Sequence, residues 1–254
     1  MNLSLCSSIA DNYKSNSQKI RVLSEYWANN NIYCPSCGNS ISKYKNNKPV
    51  ADFYCLQCRE DFELKSKKGK IGKKITDGAY STMIKRLQSS ENPNFFFLNY
   101  DNSLDIINFI LIPKYFFTQE MIEKRKPLSS NAKRAGWIGC NILLNIIPQN
   151  GKIFYIRDKQ IENKNKILES WHKTVFLKQI DSTNSKGWLL DIIRCIEKLG
   201  KQDFTLNDIY QFENYLKIKY PKNNNIKAKI RQQLQVLRDK NYLTFTARGK
   251  YSLR

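Results

Sequence analysis

The sequence predicts an α/β (α+β) layer structure over residues 1–180 with an embedded four-cysteine zinc ribbon, followed by a winged-helix domain over residues 181–254. Three observations predict it. Nearly continuous apolar runs at Asn94 to Tyr100, Ile106 to Ile112 and Lys152 to Arg157 are mixed with amphipathic helical segments, as in strands covered on both faces. Two Cys-x-x-Cys pairs lie between positions 34 and 58. The C-terminal stretch reads as three helices and then a hairpin.

The first helix is expected over Ser17 to Ala28, capped by Ser15 or Asn16, because Ile20, Leu23 and Trp27 recur at helical spacing. Pro49 to Tyr54 and Asp61 to Ser66 read as short strands flanking the second cysteine pair, so the turn between them ties the ends of a hairpin. Thr76 to Gln88 reads as a helix with Ala79, Met83 and Leu87 on one face. The segment Asp181-Ser-Thr-Asn-Ser-Lys-Gly187 is small and polar, without periodicity, and is taken as the linker. Helices follow at Trp188 to Leu199, ended by Gly200, at Leu206 to Ile218, capped by Thr205 with Asp208 three residues on, and at Asn224 to Lys240. Tyr242 to Thr246 and Tyr251 to Leu253 complete the pattern as strands.

The seven cysteines are an odd total, and MNLSLCSSIA has neither a basic leader nor a sustained apolar core. A cytoplasmic protein without a disulfide framework is expected. Cys34-Pro-Ser-Cys37 and Cys55-Leu-Gln-Cys58 stand seventeen residues apart. A two-residue gap lets two thiolates of one tight turn share a tetrahedral ion, so these four are expected to hold a structural Zn²⁺; a redox pair is the alternative. With sulfur in all four positions, none is left open for catalysis. Cys6, Cys140 and Cys195 are expected to be ordinary buried thiols.

Lys and Arg number 43 against 22 Asp and Glu, a formal net charge of +21. At 41% hydrophobic residues the chain can still bury a core, which excludes a wholly disordered basic tail. No apolar run approaches the ~20 residues of a membrane span, so no membrane partner is expected. The excess points to a polyanion, because Lys and Arg that neutralise phosphates release condensed counterions. The last long helix shows how one could be held. Ile226, Ile230, Leu234 and Leu237 form a narrow stripe, while Asn225, Ala228, Gln232 and Gln235 lie opposite, flanked by Lys229 and Arg231. Between Lys222 and Lys240 stand six basic residues and one acid, and outward amides can pair with an adenine edge in the major groove. Protein contact is the alternative use of such a helix.

Ten residues separate Asp52 from Glu63-Leu64-Lys65. Strand side chains alternate, so Glu63 and Lys65 share one face, and Asp52 in the neighbouring strand can sit opposite them. Two carboxylates beside a lysine make an oxygen site for Mg²⁺, which phosphodiester hydrolysis needs to neutralise charge while the lysine activates or orients water. An exposed ion pair on an edge strand is the bland alternative. Six lysines between Lys65 and Lys74 favour the first, since a phosphate backbone would pass close by. Pro49-Val-Ala-Asp52 with Glu63-Leu-Lys65 resembles the PD-(D/E)XK nuclease pattern, departing from it in the two residues between proline and aspartate.

The resemblance extends along the chain in YKSNSQK (13–19), YCPSCGN (33–39), PVADFYC (49–55), FELKSKKG (62–69), NPNFFFL (92–98), RAGWIGCNI (134–142) and IRQQLQVLRDK (230–240). These segments resemble the methyladenine-dependent type IIM restriction endonucleases. That resemblance implies a PD-(D/E)XK catalytic domain with a zinc site, a C-terminal winged helix, and Mg²⁺-dependent cleavage of double-stranded DNA at GATC bearing N6-methyladenine, leaving blunt ends. It implies that Asp52, Glu63 and the Leu64 carbonyl bind the metal and that Lys65 serves the attacking water. Trp137, alone a core tryptophan by its surroundings, becomes the aromatic wall that senses the methyl groups, with Arg134 beside it on the DNA. A monomer is expected. A non-catalytic zinc-ribbon and winged-helix DNA-binding regulator is the reading from another class, and an RNA-associated basic protein a third.

Overall fold

A computed structural model of the chain describes residues 1–45, 51–89, 92–180 and 183–254. Pro49 of the nuclease-like motif and the start of the expected linker, Asp181 and Ser182, lie outside the described residues. The chain divides into two compact units, Met1–His172 and Lys173–Arg254. Among the described residues, no helix is long and apolar enough to cross a membrane.

The first unit is built on a mixed sheet. Its strands are β1 (Ser42–Lys43), β2 (Phe53–Tyr54), β3 (Asp61–Lys68), β5 (Asn94–Tyr100), β6 (Ile106–Ile112), β9 (Ile153–Arg157) and β10 (Gln160–Ile161), in the spatial order β1-β2-β3-β5-β6-β9-β10. Among the described residues only β3 and β5 pair in parallel, and the chain between them makes the crossover that parallel neighbours require. Within this crossover, β4 (Lys74–Ala79) joins β7 (Ile122–Lys124) and β8 (Gly139–Leu143) in a second sheet, ordered β4-β8-β7.

Each face of the main sheet is covered differently. Helix α1 (Asn16–Asn31) sets Trp27 5.3 Å from Phe109, which lies 5.0 Å from Phe96, and Phe62 stacks on Phe96 at 4.8 Å between ring centroids. The other face carries Glu63 and Lys65 and meets β4 and α2 (Tyr80–Gln88) through ion pairs. All seven residues of β5 are buried. This double cover is why Phe95, Phe96 and Phe97 can follow one another without exposing an apolar side chain.

The expected helix from Thr76 is corrected here: Thr76 to Ala79 belongs to β4, and α2 begins at Tyr80. Burial alternates, with Ile75 and Asp77 inside and Lys74, Thr76 and Gly78 exposed, which is strand periodicity. Helix α3 (Lys164–Thr174) closes the region, and its His172, the single histidine, is exposed.

In the second unit the helices are α4 (Thr183–Leu199), α5 (Leu206–Tyr210), α6 (Glu213–Lys219) and α7 (Ile226–Asp239). Strands β11 (Asp203–Thr205), β12 (Leu243–Ala247) and β13 (Lys250–Leu253) form a sheet ordered β11-β13-β12. Helix α4 starts inside the expected linker and ends at Gly200, whose φ of +64° suits a residue without Cβ. Thr205 and Asp208 form a reciprocal capping box at α5. The single helix expected from Leu206 to Ile218 is instead two, because Phe212 donates its N–H to the Ile209 carbonyl, a tighter turn than the α ladder. Ile226, Ile230, Gln233, Leu234 and Leu237 are the buried face of α7.

Candidate active site and metal centre

Two matching turns bring the four ribbon cysteines together. The Cys34 N–H donates to the Asn39 carbonyl at 2.7 Å and the Gly38 N–H to the Cys34 carbonyl at 2.8 Å; the Cys55 N–H donates to Glu60 and the Arg59 N–H to Cys55, both at 2.9 Å. Gly38 and Arg59 each take positive φ, +73° and +56°, at equivalent places in the two turns. The four Sγ atoms lie within 4.8 Å of one another. A tetrahedral ion bonded to sulfur at ~2.3 Å sets its ligands ~3.8 Å apart, so this thiolate cluster fits Zn²⁺.

Cys140 and Cys195 are buried, and burial pushes their thiols up to about 12 and about 11, which leaves them inert at neutral pH. Cys6 departs from expectation and is exposed, at the position before a short surface turn, Ser7–Ala10.

Just before the second cysteine turn, Asp52 precedes β2 and is tied to β3 twice. Its N–H donates to the Phe62 carbonyl at 2.9 Å, and its Oδ2 accepts the Leu64 N–H at 2.7 Å. Burial raises the Asp52 carboxyl above its usual range; the Leu64 N–H opposes the shift, while Glu25 and Glu63 reinforce it. A desolvated carboxylate near two others is a place that favours a cation.

Glu63 and Lys65 project to the same side of β3, as alternation requires. Glu63 Oε1 lies 2.7 Å from Lys65 Nζ, and Glu63 Oε2 accepts from Arg86 of α2 at 2.9 Å. Lys65 also pairs with Asp77 Oδ1 of β4 at 2.6 Å. Burial disfavours the Lys65 charge, but Glu63 and Asp77 outweigh it and raise its pKa. The lysine is therefore held as an ammonium. Asp77 and Arg86 escaped sequence reasoning. Both sat within one expected helix, and the only available signal was a lone acid alternating with exposed residues in Lys-Ile-Thr-Asp-Gly.

The oxygen donors fit a hard dication in kind, being two carboxylates and a peptide group from β3 and the residue that leads into β2. Both Glu63 oxygens are engaged by cations, Lys65 and Arg86, which neutralise charge that such an ion would otherwise neutralise.

Trp137 is half-buried rather than in the core. Its ring lies across Gly139, where a Cβ would come within 2.8 Å of two indole carbons, so only glycine lets the ring lie there. The exposed Arg134 places its guanidinium 4.6 Å from the indole centroid. Trp137 is linked to the lysine cluster through one ladder, in which Gly139 pairs with Ala79 and Cys140 with Asp77.

On α7, Ala228, Arg231, Gln232 and Gln235 are exposed, as is Asn225 at its N-cap, while Lys229 is half-buried and donates to Gln232 Oε1 at 2.8 Å. Arg231 donates to the Tyr210 hydroxyl at 2.7 Å, anchoring the exposed face to α5.

Comparison with known families adds what geometry cannot. The DpnI model, described as the Dam-replacing family, matches residues 1–180, and a Dam-replacing HTH domain matches residues 184–253. The mixed α/β unit with its thiolate cluster lies within the first match, the second unit carries the helix-turn-helix match, and the chain belongs to the DpnI, or Dam-replacing, family.

Proposed function

We propose that this protein is a methylation-dependent restriction endonuclease, hydrolysing double-stranded DNA at G(N6-methyl-A)TC in a Mg²⁺-dependent reaction that leaves blunt ends. Residues 1–180 form a PD-(D/E)XK catalytic domain and residues 181–254 a winged-helix DNA-binding domain. The observation that carries the reading is the convergence of Asp52, Glu63 and Lys65 at one edge of β3, in a chain of this family.

Asp52, Glu63 and the Leu64 carbonyl would hold Mg²⁺, which supplies neutralisation of charge on the transferring phosphoryl group. Lys65 donates from its ammonium and orients the attacking water relative to the phosphodiester. Cys34, Cys37, Cys55 and Cys58 hold Zn²⁺ and fix the turn that delivers Asp52 beside Leu64. Trp137 offers an aromatic wall to the adenine methyl groups, each contributing about 1 kcal/mol on burial. Arg134 supplies a cation beside it. Asn225, Lys229, Arg231, Gln232 and Gln235 face DNA from α7, the amides toward base edges and the cations toward phosphate.

Incubation with Mg²⁺ and plasmids with or without adenine methylation tests the proposal. Cleavage restricted to the methylated plasmid is expected; equal cutting of both, or of neither, defeats it. The engagement of both Glu63 oxygens by cations favours one other reading, a zinc-ribbon and helix-turn-helix regulator without catalysis. Under that reading Lys65→Ala leaves DNA binding intact and there is no cleavage to lose.

A further inference from the structure

We infer that Asp77 is a positioning residue for Lys65, holding the ammonium at a fixed place between the two sheets; this rests on the nuclease reading and deepens it. A lysine has three N–H donors on a flexible four-carbon stem, so its charge is poorly placed unless several partners hold it. Here two carboxylates from different layers do so. Glu63 grips Lys65 from its own strand at 2.7 Å, and Asp77 grips it from β4 at 2.6 Å.

The Asp77 side chain is 4% exposed. Such burial makes the pair sensitive to loss of one partner, because the remaining charge cannot be recovered by water. With two donors committed, the third N–H is left for an incoming oxygen, and its direction is set by the other two. Glu63 alone would leave the ammonium free to rotate about one contact while sharing its carboxylate with Arg86. The β4 and β8 pairing that fixes Asp77 opposite Cys140 also fixes Ala79 opposite Gly139, beneath the Trp137 ring. Asp77 therefore stands on the scaffold that presents Trp137, and Glu63 on the one that presents Asp52.

A purely structural ion pair joining two sheets would predict lost stability and nothing more. The positioning role is tested with full-length Asp77→Asn, Asp77→Glu and Lys65→Ala proteins and the Lys65→Ala/Asp77→Asn double variant, on a methylated duplex. Asp77→Asn keeps the shape and removes the charge. A fall in kcat of about 10- to 100-fold is expected, with KM and metal-free duplex affinity within about twofold of wild type. Asp77→Glu, which restores the charge one methylene away, is expected to recover part of kcat. In the Lys65→Ala background Asp77→Asn should add no further loss, as groups that act through one another are not additive.

A separate readout needs no turnover: the ammonium ¹H–¹⁵N signal of Lys65 should be protected from solvent exchange in wild type and lost in Asp77→Asn. Wild-type kcat in Asp77→Asn, an equal further loss in the Lys65→Ala background, or a KM effect alone would overturn the inference. If Asp77→Asn does not fold, Asp77→Glu decides: an ammonium signal and kcat identical to wild type overturn it, and a displaced signal with reduced kcat at constant KM supports it. If wild type itself cleaves nothing, the nuclease reading fails, and the ammonium signal still decides whether Asp77 holds Lys65.

Discussion

The charged cluster around Lys65 and the outward face of α7 are both polar, yet they are built in opposite ways. In the cluster, Lys65, Glu63, Asp77 and Arg86 come from β3, β4 and α2, and the most exposed of them, Lys65, has a side chain only 26% accessible. On α7, Arg231, Gln232 and Gln235 come from one helix and are exposed to water. Chemistry needs charges already desolvated and aimed, since reorganisation at the moment of reaction raises the barrier. Recognition needs donors that can exchange water for a partner and release it again. A buried cluster thus fails when one member is removed, whereas an exposed face weakens gradually.

The strongest break in this contrast is loss of the four-cysteine site. Cys58→Ser is expected to lose about one equivalent of zinc per chain and the folded ribbon with it, structural sites of this kind contributing ~10 kcal/mol or more in apparent binding. Elemental analysis and limited proteolysis check this, and full metal content in the variant would refute it. Lys65→Ala comes next. Cleavage should fall by ~10²- to 10⁴-fold, with duplex binding retained in a gel shift. A variant that cuts at the wild-type rate would show the cluster to be structural.

On the helix face the effects are smaller and graded. Gln232→Ala and Gln235→Ala are each expected to weaken specific binding by ~1–3 kcal/mol and to relax sequence preference. Lys229→Ala should lower affinity for all sequences and reduce the slope of binding against salt by ~1. Titrations at several salt concentrations separate the two, and an identical loss for every variant would erase the distinction between base and phosphate contacts.

The smallest effect is at the exposed capping box. Asp208 accepts from the Thr205 N–H and hydroxyl and pairs with Lys201, which holds its carboxyl down from 3.8 to about 2. A group depressed in the folded state stabilises it above the ordinary value and ceases to do so as protons bind. The contribution is therefore complete above about pH 4 and lost as pH falls toward 2. The protection of the Leu206–Tyr210 amides, measured against their intrinsic exchange rates, should fall across that window in wild type and change less in Asp208→Asn; identical profiles would remove the claim.

Some of this was legible in the chain because the cause is local. The cysteine turns follow from a two-residue spacing, the Thr205 cap from an acid three residues on, and β5 from an unbroken apolar run. The buried stripe of α7 emerged from its helical period. Where the cause was distant, reading failed. The spacing around Asp77 suits a helix, and only pairing with the β8 strand, Asp77 opposite Cys140, makes Lys74–Ala79 a strand. For Trp137 the residues alone point to the core and only the family resemblance to an exposed aromatic wall; its half-burial follows from packing across Gly139 with Arg134 over the ring, contacts that local spacing does not encode.

By itself, the order of residues determined where the sulfur turns lie, that Asn94–Tyr100 is a strand and which face of α7 meets water, since each depends on periodicity or on groups a few positions apart. The tertiary structure alone decided that β4 would leave the main sheet and return an acid to Lys65, and that Arg86 would reach Glu63. Ion pairs across layers are set by how two sheets and a helix pack, and no spacing along the chain encodes a contact whose strength comes from the water that packing removes.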